Sequence, residues 1–270
     1  MNLKLGLKPK RIDPLGRTLR LASYLPADLS VLLADMPDDV DWESPMGPLQ
    51  MWGNDRYGCC VFAMFANLLQ CWDALAGRPF ALTTDDVLTA YSACAGFDPS
   101  RTDKQGYNPT DNGVDMLTAM KFFVNTGIGG KKAGAFVAVD PRNLLEVRAA
   151  IRIFGGIGAG VQLAASDSSQ FNGGETWTIP TDNTQGDPTN GSWGGHGVMV
   201  GRHTAATGLF YPVTWAKDQP ASNGWFQTRC DEAYALASPE QLNGQGASPL
   251  NIDYGQLLAD LQAVQKIEAA

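Results

Sequence analysis

The amino-acid sequence predicts an α+β protein of two lobes with a cleft between them, and three observations carry that prediction. The run from Cys60 to Ala76 is apolar on nearly every side, which marks a buried central helix, and further helical segments surround it in the first half. After Gly155 the helical periodicity gives way to short apolar strands, separated by loops rich in Gly, Asn, Asp and Thr. The length of 270 residues, at 44% hydrophobic and 18% charged, is enough for a substantial core. The expected division is an extended basic arm over 1–40, a helical lobe over 41–155, a strand-rich lobe over 156–248 and a C-terminal helix over 249–270.

The arm is punctuated by Pro9, Pro14, Pro26 and Pro37. Residues 1–20 carry six basic side chains against Asp13 alone, a net of +5 in a chain whose total is −8. A basic arm on an acidic body is suited to lie across that body or across a protein neighbour. Nucleic acid is a poor partner, because the arm lacks interleaved aromatics and the acidic body repels phosphate. The central helix is stopped by Gly77 and Pro79. "LTTDDVLTAYSAC" starts a second helix with Thr83 or Thr84 as its cap and Asp85 and Asp86 at its positive end. "TDNGVDMLTAMKFFVNTG" starts a third, capped by Asp111 or Asn112 and ended at Gly127. Asp140 and Pro141 open a fourth, with Leu144, Val147 and Ile151 on one face. "GIGAGVQLAA", "GVMVGRH" and "GLFYPVTWA" read as strands. Leu257, Leu258, Leu261 and Val264 give the C-terminal segment a helical spacing suited to docking on the body.

No run approaches the ~20 apolar residues of a membrane helix, and Met1 leads into a polar, basic stretch in place of a signal-peptide core. The expectation is a chain without signal peptide or membrane span, cytoplasmic or part of an intracellularly assembled particle. Five cysteines form no CxxC pair and the chain has two histidines, so neither a metal nor a cofactor is expected. The odd cysteine count suits a reducing compartment.

The chemistry concentrates in "GNDRYGCCVFAMFANL", Gly53 to Leu68. Two cysteines at the start of an apolar helix admit three readings: buried packing, metal binding, or a thiolate stabilised by the helix N-terminus. Adjacent side chains diverge on a helix, which disfavours a shared metal. A thiol becomes a nucleophile when deprotonated, and a helix N-terminus and a nearby imidazole both favour that. "SWGGHGVMVGRH" supplies the imidazole: His196 follows two glycines and opens a strand, while His203, past the strand, reads as a surface residue.

These residues resemble a known family. "VDWESPMGPLQMWGNDRYGCCVFA" is similar to the opening of the papain-like cysteine peptidases, which run from Val-Asp-Trp through an oxyanion-hole Gln to Gly-Ser-Cys-Trp-Ala-Phe. Trp42 and Cys60 are eighteen positions apart, as in that family, and Asn54 occupies the place of the Gln with another carboxamide. The likeness extends over most of residues 38–230, through "DNGVDMLTAMKFFVNTGI" and "GGHGVMVGR". It implies a papain-like fold, Cys60 as nucleophile with Cys59 as bystander, His196 as base and Asn54 as oxyanion donor. Gly113, Val114, Gly160, Gly197 and Trp215 fall in its substrate-binding positions.

The departures are specific. The family orients its imidazole with an Asn in Asn-Ser-Trp-Gly, and Val213-Thr214-Trp215-Ala216 puts Val213 in that place. Val114 replaces a Gly of the Asn-Gly-Gly stretch, narrowing the channel. The family's disulfide would need cysteines near Tyr57 and Asp111, and its long inhibitory propeptide is replaced by the short arm. Two functions follow. One is a cysteine hydrolase acting on peptide or related acyl bonds through Cys60 and His196. The other is a catalytically weak or inactive fold serving as a structural or binding component of a larger assembly, such as a virus particle.

Overall fold

In the computed structural model the described residues are 3–13, 20–23, 39–241 and 259. The predicted C-terminal helix therefore falls, Ala259 apart, outside the described residues. Helix α1 (Cys60–Leu75) is buried from Cys60 to Asp73, as its apolar sequence requires. Helices α2 (Thr84–Ala95) and α3 (Met116–Asn125) pack beside it. Aromatic contacts lock the three together: Phe62 meets Tyr91 and Phe122 at 5.8 Å, and Phe65 stacks on Phe123 at 4.5 Å.

Local sequence explains the helix ends. Thr83 and Asp86 form a reciprocal capping box at the start of α2, and Gly96 ends it in the left-handed conformation at φ 71°. Two predicted caps are corrected. Helix α3 is capped by Asp115, whose carboxylate accepts from Thr118 N at 2.9 Å, because Asp111 is engaged elsewhere. Helix α4 (Leu144–Phe154) is capped by Asn143, while Asp140 accepts from Arg142 N in the turn before it.

The strands are β1 (Val40–Asp41), β2 (Ala135–Val139), β3 (Ile157–Leu163), β4 (Gly194–Thr204), β5 (Leu209–Thr214), β6 (Lys217–Asp218), β7 (Ala221–Ser222) and β8 (Cys230–Ala237). They form one antiparallel sheet in the order β2-β8-β3-β4-β5-β6, with β1 on β4 and β7 on β5. Helix α4 packs on this sheet and shares its core with Val161, Val198 and Phe210. The site lies where α1 meets β4, between the two apolar cores. No described helix is long and apolar enough to cross a membrane.

The strand-rich half is tied together by one buried ion pair. Helices α5 (Ala165–Gly173) and α6 (Asn223–Arg229) meet through Asp167, which accepts from Arg229 Nε at 2.9 Å, Trp225 Nε1 at 3.0 Å and Ala164 N at 2.7 Å. Trp177 stacks on Trp225 at 4.6 Å and donates to the Asp167 carbonyl. Arg229→Ala strands a fully buried carboxylate and is expected to lower the unfolding free energy by about 3–5 kcal/mol. Urea denaturation of the variant beside the parent measures this, and a loss below about 1 kcal/mol would show that the pair does not hold the half together.

Candidate active site

Cys60 opens α1, and its sulfur accepts from Gly197 N at 3.4 Å. Gly197 follows His196 on β4, so one hydrogen bond joins the helix that carries the thiol to the strand that carries the imidazole. Cys59 points away, toward the Trp52 carbonyl at 3.6 Å, as a buried bystander. His196 is buried and its ring stacks on Trp215 at 4.1 Å and 17°. Trp215 and Ala216 form the two-residue turn between β5 and β6, both at positive φ, 45° and 58°. Positive φ at non-glycine residues costs about 1–3 kcal/mol each, and the turn places the indole face on the imidazole.

The hydrogen-bond partner of the imidazole is Thr214. His196 Nε2 and Thr214 Oγ1 lie 2.6 Å apart. Val213, in the place of the family's Asn, instead pairs with Met199 and Asp218 in the sheet and is buried in the core. Successive side chains of a strand face opposite sides, so only one of Val213 and Thr214 can face His196. The sequence signal was a hydroxyl directly before Trp215, and a search for a carboxamide passes over it. Nε2 is thus engaged, while Nδ1 has no hydrogen-bond partner among the described residues.

The N-terminal arm lies in the cleft. Asn54 Nδ2 donates to the Lys4 carbonyl at 3.2 Å and to the Tyr57 carbonyl at 2.9 Å. Val114 N donates to the Gly6 carbonyl at 2.9 Å, Lys8 N to the Val114 carbonyl at 3.1 Å, and Leu7 N to the Gly195 carbonyl at 3.2 Å. Leu7 thus pairs with Val114 in parallel register. The approach is so close that a Cβ on Gly6 would sit 1.8 Å from the Gly58 carbonyl oxygen. A Cβ on Gly113, itself at φ 65°, would lie 1.9 Å from the Gly6 carbonyl oxygen. Further along, Lys10 Nζ donates to the Asp231 carbonyl at 2.8 Å and Asp13 pairs with Lys121 at 3.0 Å. Of the residues singled out from the sequence, Asn54, Gly113, Val114 and Gly160 meet the arm, Gly197 meets Cys60, and Trp215 covers His196.

Burial sets the protonation of the pair. Desolvation pushes the Cys60 thiol up to about 11, against the opposing pull of the Gly197 and Gly6 N–H groups. Desolvation also lowers His196 to about 3. At neutral pH the two are therefore a thiol and a neutral imidazole.

Two other expectations meet different structure. His203 is fully buried and packs on Phe210 at 4.5 Å, because β4 continues past it and turns its ring inward, so it is no surface residue. Where the resemblance would place a disulfide, Asp111 accepts from Gly58 N at 3.0 Å and from the Tyr91 hydroxyl at 2.7 Å, joining the same two loops through a carboxylate. All five cysteines are free thiols, and the described residues hold no cluster of three or more His, Cys, Asp and Glu side chains suited to a metal.

No protein-family model matches the chain, and no curated protein does. Among solved structures it is similar to xylellain, a cysteine protease from Xylella fastidiosa, with a TM-score of 0.63 and 15% identity over 87% of this chain and 97% of that one. Procathepsin L 3 of the Tenebrio molitor larval midgut matches with a TM-score of 0.46 and 16% identity, over 82% of this chain and 76% of that one. Procathepsin L2 from the same source gives 0.48 and 12%, over 87% and 84%. At these identities the likeness is one of fold, and the α+β architecture with its antiparallel sheet is papain-like.

Proposed function

We propose that the chain is a cysteine hydrolase of peptide or related acyl bonds whose cleft is covered by its own arm. What supports this reading is that the Cys60 sulfur accepts from the N–H of the residue next to His196, while Asn54 and Gly195 bind the same arm beside it, and the imidazole is bonded to Thr214 and stacked on Trp215. A structural protein needs none of these side chains in this arrangement. In the reaction His196 Nδ1 takes the Cys60 proton and the sulfur attacks the substrate carbonyl. Asn54 Nδ2 and the Cys60 backbone N–H at the start of α1 stabilise the oxyanion. His196 returns the proton to the leaving amine, and water then releases the acyl group from Cys60 with His196 as base.

The arm occupies this channel, with Leu7 paired to Val114 in parallel register and the Gly6 N–H favouring the thiolate form of Cys60. Hydrolysis of a mixture of short peptides by the chain with its arm displaced, compared with the same chain carrying Cys60→Ala, tests the reading. Turnover that disappears with the sulfur supports it. Equal activity, or none with a reactive Cys60, favours the second reading of a papain-like scaffold that binds within a larger assembly, which the covered, uncharged pair also suits.

A further inference from the structure

Glu43 is a buried carboxyl with no part in the cleft chemistry. It follows β1, and its Oε1 accepts from Gly201 N at 2.6 Å, where the pairing of β4 with β5 shifts register between Val200 and His203. No N–H or hydroxyl among the described residues reaches its Oε2. The groups around it are acids: Asp41 from β1 and Asp218 from β6, with the Cys71 thiol of α1 directed to the Trp42 carbonyl beside it. The cation at this cluster, Arg202 of β4, is divided between Asp218 at 3.0 Å and Asp41 at 3.5 Å. Three ionised carboxyls would share that guanidinium, and the buried one would have no donor for its second oxygen. Glu43 and Asp218 are nonetheless in hydrogen-bond contact, and two carboxyl groups bond only when one of them carries a proton. Burial, then the acids, push Glu43 well above the usual carboxylate range, which makes it the protonated partner.

Asp218 stands at the far end of the hairpin that carries Trp215. Strands β5 and β6 are joined through Thr214 with Lys217 and Val213 with Asp218, around the positive-φ turn. The indole stacks on His196, Phe171 and Trp193, yet its Nε1 has no hydrogen-bond partner among the described residues, so its place depends on the hairpin backbone. We propose that Glu43 donates a proton to Asp218, and that this carboxyl–carboxylate bond is a clamp that fixes the β5–β6 hairpin and so positions Trp215 over His196. Glu43 is thus a positioning residue, acting on the imidazole through Asp218 and Trp215. Its value for catalysis rests on the hydrolase reading, and the clamp itself does not. Because the folded protein holds the proton that an exposed glutamate has lost, the clamp is closed at low pH and opens as rising pH ionises Glu43.

NMR of the full chain tests both halves. At pH 7 the side-chain ¹³C shift of Glu43 in the parent is expected to be that of a carboxylic acid, where an ordinary glutamate is a carboxylate. The His196 ring protons, shifted upfield by the stacked indole, are expected to lose that shift in Asp218→Ala. They are expected to keep it in Glu43→Gln, whose amide is neutral at every pH and can still donate to Asp218. Arg202→Gln, which removes the ion pair and leaves the shared proton, is expected to keep it as well. A carboxylate at Glu43, an unmoved His196 in Asp218→Ala, or a shift lost in Glu43→Gln or Arg202→Gln overturns the proposal. None of these readings requires turnover, so a failed peptidase assay with the expected shifts would refute the hydrolase reading and leave the clamp standing.

Discussion

Gly6→Val is expected to expel the arm and raise the reactivity of Cys60 toward iodoacetamide at pH 7 by about a hundred-fold or more. The added Cβ would fall 1.8 Å from the Gly58 oxygen, 2.3 Å from its carbonyl carbon and 2.5 Å from its Cα. All three are backbone atoms, so no rotamer change relieves the overlap. Lifting Gly6 also breaks the bonds from Val114 N and Asn54 Nδ2 that hold its carbonyl and that of Lys4. Water then reaches both members of the pair, and the desolvation that displaces them is relaxed: the thiol falls from about 11 and the imidazole rises from about 3.

The sign of the pH dependence follows. A thiol at about 11 is thiolate to roughly one part in ten thousand at pH 7, so labelling of the parent should climb through the whole alkaline range. In the variant the thiolate and imidazolium forms become accessible near neutrality, and labelling should level off at a lower pH. Mass-spectrometric mapping of the alkylated cysteine, with Cys60→Ala as control, reads the outcome. If the two chains label Cys60 at the same rate and with the same pH profile, the arm is not what silences the thiol.

Thr214→Val carries the second large effect. Valine keeps the shape of threonine and removes the only partner of His196 Nε2 among the described residues. The imidazole then loses the bond that fixes its ring orientation, so Nδ1 is no longer held in place as the base. In a chain opened by Gly6→Val, kcat/KM is expected to fall by about 10²–10⁴, mostly in kcat, by analogy with the loss of an orienting group from a catalytic triad. Thr214→Ser, which retains the hydroxyl, should recover most of the activity. The ¹⁵N shifts of the His196 ring separate positioning from a packing defect: the valine variant should shift the Nε2 resonance, and the serine variant should keep the parent's. Unchanged kcat/KM and unchanged shifts in Thr214→Val would remove Thr214 from the machinery.

Several features were legible from neighbours close in sequence. The uninterrupted apolar run into Gly77 and Pro79 specifies α1, the Thr83 and Asp86 pair specifies the start of α2, and Gly155 ends α4 in the left-handed conformation at φ 64°. Each depends on interactions within one or two turns of chain. The placement of Cys60 at a helix start and of His196 on a strand was legible for the same reason.

What the sequence by itself determined, then, is where helices and strands begin, and which side chains are available for chemistry at those points. Only the tertiary structure decided which of them meet. Asp111 was eligible as a cap until Gly58 and Tyr91, distant in sequence, took its carboxylate, and the cap passed to Asp115. Thr214 became the partner of His196 because the register of β5 against β4 turns that residue, and not Val213, toward the imidazole. The arm settled in its own cleft because Gly6 fits between Gly58 and Gly113, where any Cβ overlaps backbone, and such a fit exists only once three separated segments share one surface. Side-chain direction on a strand and steric exclusion between backbones depend on register and close approach, which no local pattern of residues encodes.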